Sequence, residues 1–417
     1  MSELDPSFAS QARQFTGAEV PLNPSEIIVS RSDGRGVVLS GNAVFQRMTG
    51  RSWDELLGAP HKVIRHPDMP KAVFHLMWAR LQAGLPIGAY VKNRDKAGGY
   101  YWVFAVIAPT QDGYISIRIK PMGPMRSKVE ALYADLLKAE QAENGLKPEE
   151  SANRLKEEIK ALGFSNYAAF QATAIAEEFE ARAKHLGEDL DQPQRRFLNM
   201  SRAISDVRRE TTEMTEAFKA IRTVPMNMRI IASRLENAGG PISAISVNYS
   251  QMLEEMSTWV KTFVDGEDCV FALIRDAILN GQFLGFVAVI EELAHDIINN
   301  QKDSYPNNID VEADLAALET NRSKFLGETA QALGAVETEA KRFGRSVLDM
   351  KRYVTGLSST RMMCKIENAA LMDSGSDLAG VVEQLDACQD EIEARLAKIV
   401  ELNAVIQGNV SMLRSLL

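Results

Sequence analysis

Cysteine is nearly missing from this 417-residue chain. Cys269, Cys364 and Cys388 lie far apart without CxxC spacing, which argues against a disulfide framework or a cysteine zinc site and predicts buried thiols in a reducing compartment. Histidine is also scarce, and His61, His66 and His75 do not fit the HExxH metal pattern. Cations are not in excess: 47 Lys and Arg stand against 56 Asp and Glu, a net charge of −9. Nucleic acid, which demands clustered excess cations, is not an expected partner. The opening residues, MSELDPSFASQARQF, hold no apolar core of a signal peptide. The most apolar window, 269–290, is broken by Arg275, Asp276, Asn280 and Gln282, so no membrane span and a cytoplasmic location are expected. Catalytic signatures are missing too: there is no GxxxxGK[ST] loop, nucleophile elbow, or kinase or cyclase motif. Glu291 and His295, four apart, read as a surface contact on a helix. A non-enzyme is the expectation.

What is present changes character near residue 124. Residues 1–20 read as a flexible arm, 21–123 as a small α+β domain, 124–190 as connecting helices and 191–417 as an all-α bundle or coiled coil. Within 25–120 the order is strand, strand, helices, then three strands. Ser25–Ser30 and Val37–Ser40 flank the turn signal SDGRG. Ser52 and Glu55 form a capping box. KAVFHLMWARLQAG follows Pro70 and ends at Gly84, as a longer helix should. Tyr90–Arg94, Tyr100–Ala108 and Tyr114–Lys120 read as a meander, completing a five-stranded antiparallel sheet with helices on one face.

The remainder carries helical stripes. Ile204, Val207, Thr211, Met214, Phe218 and Ile221 step by three and four. Phe325, Thr329, Leu333, Val336, Ala340, Phe343, Val347, Met350 and Val354 repeat the pattern, and Leu385, Cys388, Ile392, Leu396, Ile399, Ile406 and Leu413 form a third stripe. Such faces are buried either by a homodimeric partner or inside an intramolecular bundle. Gly239–Gly240–Pro241 reads as a turn between antiparallel helices.

The stretch GAPHKVIRHPDMPKAVFHLMW (58–78), followed by VKNR (91–94) and YYWV (100–103), resembles the PAS domains of bacterial aerotaxis receptors. These sensors bind FAD noncovalently. The resemblance implies a PAS fold and a cofactor pocket at Asn42, Arg65, His66, Asp68, Phe74, Trp78 and Asn93. The residue types suit that chemistry. Phe74 and Trp78, four apart, can wall a flat ring, Asn42 and Asn93 can donate to its polar edge, and Arg65 and His66 precede a helix N-terminus whose free N–H groups suit an anion. Each also has a plainer role: Asp68 as an N-cap, Phe74 and Trp78 as core, Arg65 as a surface ion pair and His66 as a turn residue. Haem, ligated by His66 or His75, is the alternative cofactor. Where the family has a Trp-Ser-Gly type of run before VKNR, this chain has Ile87, Gly88, Ala89 and Tyr90. A Tyr90 turned inward would fill the slot and leave an interaction scaffold or a small-metabolite sensor.

Residues 221–259 resemble the signalling hairpin of methyl-accepting chemotaxis proteins, with Asn227, Glu236 and Gly239–Gly240 at comparable places. The tip is shorter and lacks the family's Arg-Ala-Gly-Glu and Gly-Arg-Gly-Phe runs. The resemblance implies a chemotaxis-like kinase or coupling protein as partner, receiving a signal through the helix that leaves the PAS sheet after Lys120.

Overall fold

The computed structural model describes residues 17–234, 239–264, 266, 269–370 and 378–416. The chain divides into two compact units, 1–194 with 282–329, and 195–281 with 330–417.

The first unit is built on a five-stranded sheet of β1 (Ile27–Asp33), β2 (Val38–Gly41), β3 (Ile87–Arg94), β4 (Tyr100–Pro109) and β5 (Gly113–Ile119), in the order β2-β1-β5-β4-β3. Every neighbouring pair is antiparallel. Helices α1 (Ala43–Thr49), α2 (Trp53–Leu56) and α3 (Lys71–Gln82) lie between β2 and β3 in the chain. Asn42 caps α1 by accepting from the Phe45 N–H at 3.0 Å, and Glu55 accepts from the Ser52 N–H as the capping box requires. Of the arm 1–20, residues 1–16 lie outside the described residues, whereas Val20 donates its N–H to the Tyr100 carbonyl at 2.7 Å.

Strand β3 begins earlier than its sequence pattern suggests, because Gly88 is a packing residue. A Cβ there would sit 2.9 Å from the Phe104 ring and 3.2 Å from Phe283, so only glycine lets these rings approach. Past the sheet run α4 (Met125–Gln141), α5 (Pro148–Ala161) and α6 (Tyr167–Leu186). Helix α6 covers β3: Tyr167 donates its hydroxyl to the Gly88 carbonyl and Gln171 accepts the Gly88 N–H. The unit also includes the end of α10 (Val270–Asn300) and the start of α11 (Val311–Ala370), residues that the sequence pattern assigned to the bundle. Phe286 of α10 meets Phe179 at 5.1 Å. Asp314 of α11 accepts from Arg31 at 2.5 Å and from Ser40 at 2.7 Å.

Helix α4 reaches back to the start of α3. The Glu140 carboxylate accepts the N–H groups of Lys71 and Ala72 at 2.8 and 3.0 Å, and the Ser151 hydroxyl at 2.7 Å. The N-cap position of α3 is Pro70, not Asp68. The helix N-terminus expected to be free for a ligand is therefore filled by an internal anion.

The second unit contains α7 (Gln192–Ala220) from Arg195 on, α8 (Val224–Arg234), α9 (Gly240–Phe263), the first part of α10, the rest of α11 and α12 (Leu378–Leu416). Helices α8 and α9 form the anticipated antiparallel pair, tied by Arg229 donating to Ser246 and Ser250, with Pro241 in the first turn of α9. Glu236 lies outside the described residues. All three apolar stripes are buried within the single chain, from Val207 and Met214 through Phe343 and Val347 to Ile392 and Ile399. Cys269, Cys364 and Cys388 are buried free thiols, and burial pushes Cys364 and Cys388 up to about 11.

Helix α10 meets the length and hydropathy of a membrane span, with a mean hydropathy of 1.5 over its best window, 56% of which is buried in the protein. The interruptions noted in 269–290 thus do not disqualify it by composition. Glu291 on this helix is fully buried and faces Asn321 of α11 at 3.4 Å. It makes no surface contact with His295, which instead faces Asp296.

Two predictions follow from buried carboxyls. Burial raises Glu291 to about 8. An acid with a raised folded-state pKa stabilises fully below its unfolded value and loses that contribution as pH climbs from about 4.5 to about 8, at up to ~1.4 kcal/mol per pH unit. The thermal midpoint of Glu291→Gln should therefore fall less between pH 5 and 8 than that of the native protein; parallel profiles would count against a neutral Glu291. Glu140→Ala, which strips three bonds from one carboxylate, should lose about 2–3 kcal/mol in urea unfolding. A loss under about 0.5 kcal/mol would mean that water replaces the cap.

Candidate functional site

Helical spacing on α3 and strand alternation on the sheet aim two sets of side chains at each other. From α3, Phe74, Met77, Trp78 and Leu81 recur at three and four. From the sheet, Val91 and Asn93 on β3, Ala105 and Ile107 on β4, and Tyr114 and Arg118 on β5 recur at two or four. Between them lies a cavity of about 300 Å³. Trp78 meets Tyr114 edge-on at 5.3 Å. The Trp78 ring also lies over Gly36, where a Cβ would sit 3.4 Å from it, and the positive φ of 78° at Gly36 favours glycine.

The polar part of this lining is one-sided. Arg35, Lys62, Arg65 and Arg118 contribute cations, and among the described residues no Asp or Glu lines the cavity. The Arg65 guanidinium stands 3.5 Å over the Phe74 ring, and burial lowers it to about 10. Arg118 contacts Ser30 and the His61 ring. Burial, and then the Arg118 charge, hold His61 down at about 3, so its imidazole is neutral.

A second chamber of about 420 Å³ shares Lys62 and Arg65 with the first. His66, Lys71 and Arg94 add to its basic lining, and Glu140 is its one acid among the described residues. The first chamber has apolar and aromatic walls with cations along part of its lining; the second is mainly polar and basic.

The seven residues singled out in the sequence divide among these places. Phe74, Trp78, Asn93 and Arg65 line the apolar cavity. The antiparallel bridge between Arg65 and Asn93 brings the last two together. His66 lines the basic chamber instead; its Nδ1 accepts the Asp68 N–H at 3.1 Å, and burial lowers its pKa. Asp68 points outward and pairs with Lys92 at 2.6 Å. Asn42 lines neither chamber. It accepts from the Val29 and Phe45 N–H groups and donates to the Ile27 carbonyl at 2.8 Å, an architectural tie between α1 and β1.

Tyr90 does not enter the cavity. Strand alternation sends it to the opposite face, where its hydroxyl donates to Glu178 of α6 at 2.7 Å and its ring packs on Phe104 and Phe170. Neither histidine proposed for haem lines the apolar cavity: His66 lies in the basic chamber and His75 is exposed on α3.

Sequence reasoning missed Arg118, His61 and Glu140. For Arg118 a signal existed, since Tyr114, Ser116 and Arg118 alternate with Ile115, Ile117 and Ile119 and so put the arginine on a sheet face that helices cover. Glu140 left no local signal, because the α3 N–H groups it accepts lie about 70 positions earlier in the chain.

The same region of the sequence matches known proteins. The sequence profile of the PAS fold matches residues 38–116. The aerotaxis receptor of Escherichia coli (strain K12) is 38% identical over 126 residues, 29% of this chain and 25% of the receptor; the match thus spans about a quarter of that relative's length. Among solved structures, the light and dark states of the blue-light photoreceptor Aureochrome1 LOV are 18% and 16% identical, each with a TM-score of 0.22, covering 26% and 33% of this chain and 90% and 97% of theirs. The sheet and helices that frame the cavity form a PAS domain, similar in sequence to that of the aerotaxis receptor.

Proposed function

We propose that the chain is a non-catalytic signalling protein whose PAS domain senses redox or energy state through a bound flavin dinucleotide. The observation that carries this reading is the pairing of an apolar, aromatic-walled cavity with a basic chamber through Lys62 and Arg65. A dinucleotide has the same division, a flat ring at one end and a pyrophosphate towards the other. Phe74 and Trp78 would hold the ring, Asn93 would offer its amide to the polar edge, and Lys62, Arg65, Lys71 and Arg94 would meet the pyrophosphate. A bound flavin supplies reversible electron acceptance. The residues of this chain exclude water from the ring and transmit its state.

The transmission route begins on β3. Val91 and Asn93 face the cavity, while Tyr90, next to Val91, faces α6. Glu178, which accepts the Tyr90 hydroxyl, also accepts the N–H groups of Met122 and Gly123, the latter at 2.8 Å. Those residues lead directly into α4. A shift of β3 driven by the cavity therefore reaches the exit of the sheet through one carboxylate. Downstream, the α8–α9 hairpin is the element that a chemotaxis-like kinase or coupling protein would read. Self-association through helices would have to use faces other than the three buried stripes. A cytoplasmic location belongs to the same reading.

The full chain, purified from cells supplied with riboflavin and haem precursor, should show flavin bands in its visible spectrum that bleach with dithionite. Trp78→Ala should weaken FAD binding about tenfold or more. Asn42→Ala should lower the thermal midpoint and leave flavin affinity within about threefold. A Soret band would replace the flavin reading with haem. A colourless protein that takes up neither cofactor would replace it with a small-metabolite sensor or an interaction scaffold.

A further inference from the structure

Arg118 is 4% exposed, lines the cavity, and has no carboxylate partner among the described residues. Its Nη1 donates to the Ser30 hydroxyl at 3.1 Å and its Nη2 to Ser30 at 3.1 Å and to His61 Nε2 at 2.8 Å. Each of these acceptors is neutral. The Tyr101 hydroxyl, which burial pushes up and keeps neutral, has no hydrogen-bond partner among the described residues. A buried guanidinium without a counter-ion is costly, and burial has lowered it to about 10. Among the described residues the lining has no acid that could offset the charge. The cavity is therefore the route by which a counter-ion would reach it. Phe74, Met77, Trp78 and Ile107 give the cavity apolar and aromatic walls beside the cations Arg35, Lys62 and Arg65, which suits a flat, largely apolar molecule with an anionic edge.

We propose that Arg118 is the charge-reading group of the cavity, selecting a planar ligand that carries negative charge on the edge turned towards Arg118 and His61. His61, held neutral, keeps its Nε2 as an acceptor and so fixes the guanidinium in place. Ser30 does the same from β1. The proposal rests on the cavity being a ligand site, as in the flavin reading, but does not need the ligand to be a flavin. If it is one, a cation at the ring favours the electron-rich state, and Arg118 raises the reduction potential of the bound ring.

The test uses the full chain with two isosteric probes, 2-naphthoate and the uncharged 2-naphthamide, and with FAD in its oxidised and dithionite-reduced forms. The native protein should prefer naphthoate to naphthamide by about tenfold, one charge-assisted hydrogen bond's worth. Arg118→Lys should keep most of that preference. Arg118→Gln should abolish it while binding naphthamide within threefold of the native protein, which also shows an intact cavity. With FAD, Arg118→Gln should cut the preference for the reduced form about tenfold, a fall of about 30 mV for a two-electron couple. Equal binding of the two probes by the native protein, binding of neither, or an unchanged preference in Arg118→Gln overturns the proposal. A naphthoate preference without FAD binding sinks the flavin reading and leaves Arg118 standing. FAD binding whose redox preference ignores Arg118, with no naphthoate preference, does the reverse.

Discussion

Strand β3 is buried on both faces, and the PAS unit is arranged around that constraint. A strand alternates its side chains with a period of two, so burying both sides commits consecutive residues to different tasks. Val91 and Asn93 wall the cavity. Gly88 and Tyr90 dock α6 through Gln171, Tyr167 and Glu178. A one-residue slip in register would exchange the two sets, putting a tyrosine in the cavity and Val91 or Ala89 against the rings of Phe104 and Phe170. The long ladder with β4, from Ile87 opposite Ile107 to Arg94 opposite Tyr100, prevents that slip. The cavity wall and the face that docks α6 are thus opposite sides of one strand.

The charge distribution follows from the same packing. Helix α3 presents its N-terminus where a ligand phosphate would be welcome, yet α4 has already placed Glu140 there. That contact binds the exit helix to the helix carrying Phe74 and Trp78. It also removes the backbone as an anion site, leaving side-chain cations to meet any negative ligand. Lys62 and Arg65 stand where the two chambers share lining, while Arg118 lies beyond them among neutral partners.

Much of this was legible in the sequence because the signals were local. The PAS strands lie between glycine-containing turns, α3 stands between Pro70 and Gly84, and the helical stripes from Ile204 to Leu413 are all buried as their spacing required. What was not legible depended on contacts distant in the chain. The face taken by Tyr90 is a matter of strand parity, which a sequence pattern starting at Tyr90 itself does not fix. Asn42 looked like a pocket donor because an amide suits a flavin edge, but the Ile27 carbonyl and the Val29 and Phe45 N–H groups claim that amide first. Glu291 resembled a surface residue because a helix shows its own spacing, not which of its faces another helix will cover.

Tyr90 also gives the departure from the aerotaxis-receptor pattern a physical meaning. A tyrosine on the outer face of β3 needs a buried acceptor for its hydroxyl, and Glu178 supplies one. Glu178 in turn is surrounded by the Met122 and Gly123 N–H groups, and a Cβ at Gly123 would lie 2.9 Å from its carboxylate. Glycine at 123 is thus what allows the chain leaving β5 to come close enough to share the acid. Removing any of the three would strand a buried polar group: a hydroxyl without an acceptor, a carboxylate without donors, or N–H groups without an oxygen. Tyr90, Glu178 and Gly123 therefore form one unit, so the residue that first looked like an obstruction of the cavity instead ties its back wall to the exit of the sheet.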